Sequence, residues 1–354
     1  MNPAPYGVGI IGVGHQLPMR VDTNDELAQV LPETTAEWIL EKTGIQRRFL
    51  ATEKDSASSL AISAAKKAMA MAGINPHQLD LIIACTFSAD YIFPPVSAKI
   101  QMELGAKNAQ VYDVQANCSG FVTGLTCASD RMLVDSDVKY ALVIGVELHT
   151  RYIDRRDVNT SIYFSDGAGA AVLGQVEVGA GILKSSFFTD SSNYEAVRFR
   201  GGGSSHPLTG RGFEPSTDFI EMNGLATWKQ AVTHLPTVVR KVAAKAGIAL
   251  SDVDLFLFHQ ANLNLIHYVV KKMGQKLEKT HTNVEQIGNT GAASVGIVLS
   301  EAVALGKIQP GQIVLLASVG AGFNFGACIL KWTHQLPASG ISVAEEALQN
   351  LGQS

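Results

Sequence analysis

A chain of 354 residues with 46% apolar and only 17% charged side chains is neither disordered nor a coiled coil, and four cysteines in that length exclude a disulfide mini-protein. The 28 Lys and Arg against 32 Asp and Glu leave a formal charge of −4, so no global polybasic surface advertises nucleic acid, and an anionic partner must be met by a local basic patch. The length fits two α/β units or one large α/β domain.

The chain opens with GVGIIGVG, in which Gly7, Gly9 and Gly12 spell G-x-G-x-x-G. A dinucleotide fingerprint needs a strand before it and a helix after it. Here the glycines lie inside the expected strand and Pro18 follows, so no nucleotide site is expected. The start has no cationic n-region, and no stretch reaches the roughly 20 apolar residues of a membrane span. Irregularly spaced Cys85, Cys118, Cys127 and Cys328 point to a reducing cytoplasm.

Residues 61–85 hold an Ala/Lys-rich helical stretch, an Ala-Gly-Ile stop, and an Asp before an apolar β run. Residues 237–259 repeat that order, and Gly73 to Asp80 has the same spacing as Gly247 to Asp254. VKYALVIGVE (138–147) is echoed by GQIVLLASVG (311–320). Continuous apolar runs alternating with helices imply strands buried on both faces, and the matched spacing implies a duplicated fold.

In VYDVQANCSGFVTGLTCASDRML a β run leads through a polar hinge to Cys118, then to a small-residue helix burying Phe121, Val122, Leu125, Ala128 and Met132. A cysteine at that helix start meets the positive end of the helix dipole and unpaired N–H groups, which favour thiolate. The Gly-rich, polar stretch 190–218 reads as a surface excursion near a site mouth. His259 closes the second-copy strand, where open α/β sheets gather their chemistry, ahead of an amphipathic helix (Leu263, Ile266, Val270, Met273). Asn289 sits in IGNTGAASVG, a turn before another small-residue helix. With no HExxH or CxxC, a metal is not expected. Together a Cys, a His and an Asn are the parts of Cys-based acyl transfer: the sulfur takes an acyl group, and the other two donate hydrogen bonds to a carbonyl that gains charge. After Trp332 the tail breaks at Pro-Ala-Ser-Gly; Ser342 and Glu345 have capping-box spacing.

On TTAEWILEKTGIQRR, DVQANCSGF, FSDGAGAAVLG, FHQANLNLI, GNTGAASV and GQIVLLASVGAGFNFG, the chain resembles the thiolase-like condensing enzymes, specifically the β-ketoacyl-acyl-carrier-protein synthase III family. The resemblance spans roughly residues 8–332. It implies an α/β fold, the thiolase-like five-layered αβαβα arrangement of two duplicated halves, with an N-terminal half at 1–180, an insertion or linker at 181–218, a C-terminal half at 219–333 and a tail at 334–354. It implies a homodimer without cofactor, acting on acyl-coenzyme A and acyl carrier protein, with neither nucleic acid nor membrane insertion. Carried over, Cys118 is the acylated nucleophile with His259 and Asn289 beside it, and the backbone N–H groups of Cys118 and Ala321 form the oxyanion hole, Ala321 standing where the family usually has Gly. Trp38, Lys42, Phe93 and Asn264 fall at substrate-binding positions, Phe93 at one that often reaches across the dimer. Lys229, Lys271 and Lys272 match a docking patch for the acidic carrier protein. Lys42, Val158 and Asn264 stand where the family often places Arg, so a donor other than acetyl-coenzyme A, longer or carrier-borne, is expected. The implied reaction is a decarboxylative Claisen condensation giving a 3-oxoacyl-carrier protein. The alternatives are a specialised-metabolism acyltransferase (quinolone, resorcinol or polyketide) and a non-catalytic partner subunit.

Overall fold

The fold follows from two sheets whose central strands are apolar on both faces. The computed structural model describes residues 4–334; the tail expected from 334 onward lies outside the described residues apart from His334. One sheet runs, in order, through Gly7–Gln16, Asp166–Val176, Ala141–Leu148, Leu81–Cys85 and Gln110–Val114. The other runs through Gly181–Thr189, Asn324–Lys331, Ile313–Gly320 and Leu255–Phe258. Read from the first-named strand, both have an antiparallel pair, a second antiparallel pair and then a parallel pair. An isolated parallel bridge from Phe256 to Thr280 marks the place of a fifth strand in the second sheet. The duplication expected from the sequence is therefore present through four strands of each sheet.

The alternation of side chains divides the core. Leu81, Ile83 and Cys85 face a middle layer, where the helices Gly120–Val134 and Ser294–Ala304 lie between the sheets with Leu257, Val314 and Leu316. Ile82 and Ala84 face outward to the helices Ala57–Ala72 and Val96–Leu104. The outer face of the second sheet is covered by Gly224–Ala246 and Leu263–Lys272. Five layers result, the central strands buried on both sides and the edge strands only in part. Small residues set the layer spacing: a Cβ on Gly169 would lie 2.6 Å from the Gly296 carbonyl carbon.

The sequence echo has a structural cause. Gly73 and Gly247 end their helices at φ 67° and 68°, the left-handed region that glycine enters without strain. Seven residues on, the Asp80 carboxylate accepts from the Lys139 and Tyr140 amides, and Asp254 accepts from Ile313 N (2.8 Å). Each Asp thus ties the start of its strand to the neighbouring parallel strand.

One expected boundary is wrong. Residues 181–189 are not linker: they form an edge strand paired along Asn324–Lys331. The polar run that suggested a linker begins only after it. The rest of the excursion holds a 3₁₀ turn (Ser191–Ala196), a two-stranded ribbon of Val197–Arg198 with Glu221–Met222, and a bidentate Arg211–Asp218 pair.

Candidate active site

Three chain segments bring Cys118, His259 and Asn289 to one cavity of about 1200 Å³. Cys118 occupies the 3₁₀ turn Asn117–Ser119, between Gln110–Val114 and the Gly120–Val134 helix. The preceding Asn117 takes φ 48°, a conformation Asn tolerates better than most residues, and its Nδ2 donates to the Ala321 carbonyl (3.0 Å). A Cβ on Gly320 would stand 3.0 Å from the Cys118 amide, so only glycine lets the strand end approach that N–H so closely. Cys118 and Ala321, the two expected oxyanion donors, both line the cavity.

His259 follows Leu255–Phe258, its amide still pairing with Ala317 O (2.8 Å). Nδ1 meets Ser294 Oγ at 2.6 Å. That oxygen also accepts from the Gln260 amide (3.4 Å), so Ser294 holds the ring by Nδ1 and leaves Nε2 as the nitrogen free to meet a ligand. The backbone of Asn289 is clamped by Tyr163 O and Ser165 N, each at 2.9 Å. Its Oδ1 accepts from the Gly291 amide (2.9 Å), leaving Nδ2 to donate to a ligand. Two side chains are thus held by their far ends with a ring nitrogen and an amide N–H left over, groups that can stabilise a developing oxyanion or enolate when both donate.

The electrostatics differ from the expected resting thiolate. Cys118 is partly open to the cavity but enclosed by protein elsewhere, and this burial, with the Glu147 carboxyl adding to it, pushes the thiol up to about 12. From an ordinary 9.0 that corresponds to about 4 kcal/mol; even halved for water in the cavity it exceeds the ~0.3–1 kcal/mol of a helix terminus. Cys118 therefore rests as a thiol. Burial, then the nearby His149, pulls His259 down to about 3, so the imidazole is neutral.

Of the other expected residues, none of Trp38, Lys42, Phe93 and Asn264 is among those lining the cavity. Trp38 is 41% exposed on the Ala36–Thr43 helix, whose terminal Gly44 packs on Leu263. Asn264 spends its Nδ2 on the Glu41 and Lys42 carbonyls (3.0 and 3.1 Å), so it holds that helix end in place. Phe93 points away, 83% exposed, while its neighbours Tyr91 and Ile92 line the cavity. Lys229, Lys271 and Lys272 are exposed on the two outer helices whose Trp228 and Leu265 line the cavity. The 190–218 stretch contributes Tyr194, Phe199 and Phe213 to the lining, as its expected place near a mouth requires.

Sequence reasoning missed two buried groups. Glu147 accepts from Ser88 Oγ (2.6 Å), Thr86 Oγ1 (3.2 Å) and the Phe87 amide (3.2 Å), and burial raises it to about 8. His149 also lines the cavity. Both sit at the end of Ala141–Leu148, where Glu147 and His149 after six apolar or Gly positions are the available signal.

The 3-oxoacyl-(acyl-carrier-protein) synthase III family description matches residues 112–191, and its C-terminal description matches 243–332. A β-ketoacyl-acyl-carrier-protein synthase III of Syntrophomonas wolfei is 40% identical over 92% of this chain and 97% of its own. One of Bordetella petrii is 40% identical over 91% and 97%. The solved 3-oxoacyl-acyl-carrier-protein synthase III of Aquifex aeolicus superposes with TM-score 0.85 at 34% identity, covering 92% of this chain and 100% of that one. The priming β-ketosynthase of a polyketide pathway superposes with TM-score 0.88 at 29% identity, covering 95% and 99%.

Proposed function

The chain belongs to the β-ketoacyl-acyl-carrier-protein synthase III family, and from that premise we propose that it condenses a Cys118-bound acyl group with malonyl-acyl carrier protein. The observation that carries this reading is the convergence of Cys118, His259 and Asn289 on one cavity, with Ser294 and the Gly291 amide occupying the far atoms of the last two.

In the first half-reaction the sulfur attacks the donor carbonyl, the donor's own thioester C–S bond breaks, and the Cys118 thiol proton ends on the departing sulfur. With Cys118 un-ionised, attack and proton loss are coupled, and the Cys118 and Ala321 amides take the oxyanion. Malonyl-carrier protein then enters. His259 Nε2–H and Asn289 Nδ2–H hold its thioester oxygen as carbon dioxide leaves; the resulting enolate carbon bonds to the acyl carbonyl, and the sulfur departs and regains a proton. Decarboxylation itself supplies the carbanion, so the step needs neither metal nor redox cofactor. Identities of 36–40% to β-ketoacyl-acyl-carrier-protein synthases favour this acceptor over a specialised-metabolism one. His259→Ala and Asn289→Ala should lower decarboxylation of malonyl-carrier protein by 10²-fold or more, on the scale of ~10²–10³ per lost donor, while intact-mass measurement still finds acylated Cys118. Equal loss of both half-reactions would overturn the roles.

The exposed Lys229, Lys271 and Lys272 support docking of an acidic carrier protein beside the mouth. Coenzyme A thioesters are the proposed primers, with exposed Trp38 the stacking surface for a base. Lys42 and Asn264 act through the helix that carries that Trp38. Free cysteines and the absence of a helix long and apolar enough to cross a membrane among the described residues agree with a cytoplasmic setting. A second copy is the proposed cover for Tyr91, Ile92 and Phe93.

A further inference from the structure

One polar atom in the cavity has no role in the reaction above. His149 is 4% exposed. Its Nδ1 lies 3.2 Å from the Ser165 carbonyl, an oxygen that can only accept, so Nδ1 carries the proton and Nε2 is a bare acceptor. Nε2 has no hydrogen-bond partner among the described residues, yet it is not sealed in protein: it is absent from the atoms buried without a partner, and His149 lines the cavity.

Two aromatic rings pack on the imidazole, and Glu147 and His259 are its nearby polar neighbours. Phe164 stacks on it at 4.5 Å and Phe87 lies at 5.4 Å. It also meets the turn after Asn289: a Cβ on Gly291 would stand 2.9 Å from Nε2. The lone pair therefore sits beside the turn whose Gly291 amide holds Asn289 Oδ1, on the wall of the cavity that an acyl group on Cys118 enters. Burial holds the ring neutral, its pKa lowered to about 4, so it accepts and does not attract a carboxylate. A purely hydrocarbon primer would cover this acceptor and leave it unpaired, which costs binding; a primer with a hydroxyl there would satisfy it.

We propose that His149 is a specificity-determining residue that selects a primer bearing a hydroxyl on the second, third or fourth carbon of its acyl chain. The proposal rests on the acyl-Cys118 reading and names its donor class more closely.

The test is the initial rate of Cys118 acylation, followed by intact-protein mass spectrometry on the full chain. The probes are hexanoyl-coenzyme A, its 2-, 3- and 4-hydroxy forms and their O-methyl ethers, which keep the oxygen but not the donor. At least one hydroxy form should acylate the wild type roughly tenfold or more faster than hexanoyl-coenzyme A, and its ether should not. In His149→Leu the order should reverse, with hexanoyl transfer accelerated. Equal wild-type rates for all probes, the result if only water occupies the site, would overturn the proposal and leave the acyl-enzyme standing. No adduct from any probe would instead sink the acyl-enzyme reading. If the Leu variant lost its cooperative melting transition, the wild-type ratios alone would still decide.

Discussion

Cys118 and Glu147 set the pH behaviour of the site from opposite sides of one problem, a charge with too little water around it. Because enclosure by protein and the Glu147 carboxyl hold the Cys118 thiol near 12, alkylation of Cys118 by iodoacetamide should climb close to tenfold per pH unit from about pH 6 to pH 9, without a plateau. A plateau beginning near pH 7 would restore the resting thiolate that the helix-start position suggested. Stability carries its own signature. Glu147 rises from 4.5 to about 8 in the folded chain, so its contribution is full below the unfolded value and lost as pH climbs through 8; Asp166, raised to about 6, acts in the same direction. The buried imidazoles of His15, His149 and His259, lowered to about 4, 4 and 3, contribute in full above 6.5 and lose that contribution as pH falls towards those values. The melting temperature should therefore peak between about pH 5 and pH 7, and Glu147→Gln should flatten the alkaline limb without abolishing it. An unchanged limb in differential scanning calorimetry would count against this assignment.

The helix Ser294–Ala304 links packing to chemistry, because its first residue holds the His259 ring by Nδ1. It can lie against Asp166–Val176 only because Gly169 and Gly296 meet there without side chains. Gly169→Ala would place a Cβ 2.6 Å from Ile297 N, backbone that cannot rotate away, so the helix must move off the sheet. The expected loss is about 1–3 kcal/mol in urea unfolding, with condensation slowed more than Cys118 acylation. Elements of this kind were readable where one physical rule dominated. The strand at the N-terminus, the paired Gly stops and the apolar runs each follow from burial on two faces or from a left-handed cap, and the structure has them all. The strand Gly181–Thr189 is hard to read because its centre, Lys184-Ser185-Ser186, is polar and makes it blend into the polar stretch after it. Asn264 was assigned to substrate because its line of sight to the Glu41 and Lys42 carbonyls is a tertiary fact. His149 and Glu147 escaped for a related reason: a buried acid or imidazole is recognised by its surroundings, which lie on Thr86–Ser88, Phe164 and Gly291, far apart in the chain.

At the scale of the whole molecule, one flank is unfinished. Tyr91, Ile92 and Phe93 are 65%, 84% and 83% exposed, and Met102 on the neighbouring helix is 66% exposed. Contiguous apolar exposure of this kind is rare on a protein that works alone. Because Tyr91 and Ile92 are also cavity wall, whatever covers them closes the chamber in which the acyl group must be kept from water. A second copy related by a two-fold axis meets both needs, since an isologous contact would lay each Phe93 against its partner's surface while sealing two cavities at once. Light scattering during size-exclusion chromatography should find a dimer at micromolar concentration. Ile92→Asp combined with Phe93→Asp should yield a monomer that retains its fold by circular dichroism, yet hydrolyses its acyl-Cys118 faster than the wild type. A wild-type monomer with a long-lived acyl-enzyme would show that the chamber closes by itself, and the exposed flank would then need another explanation.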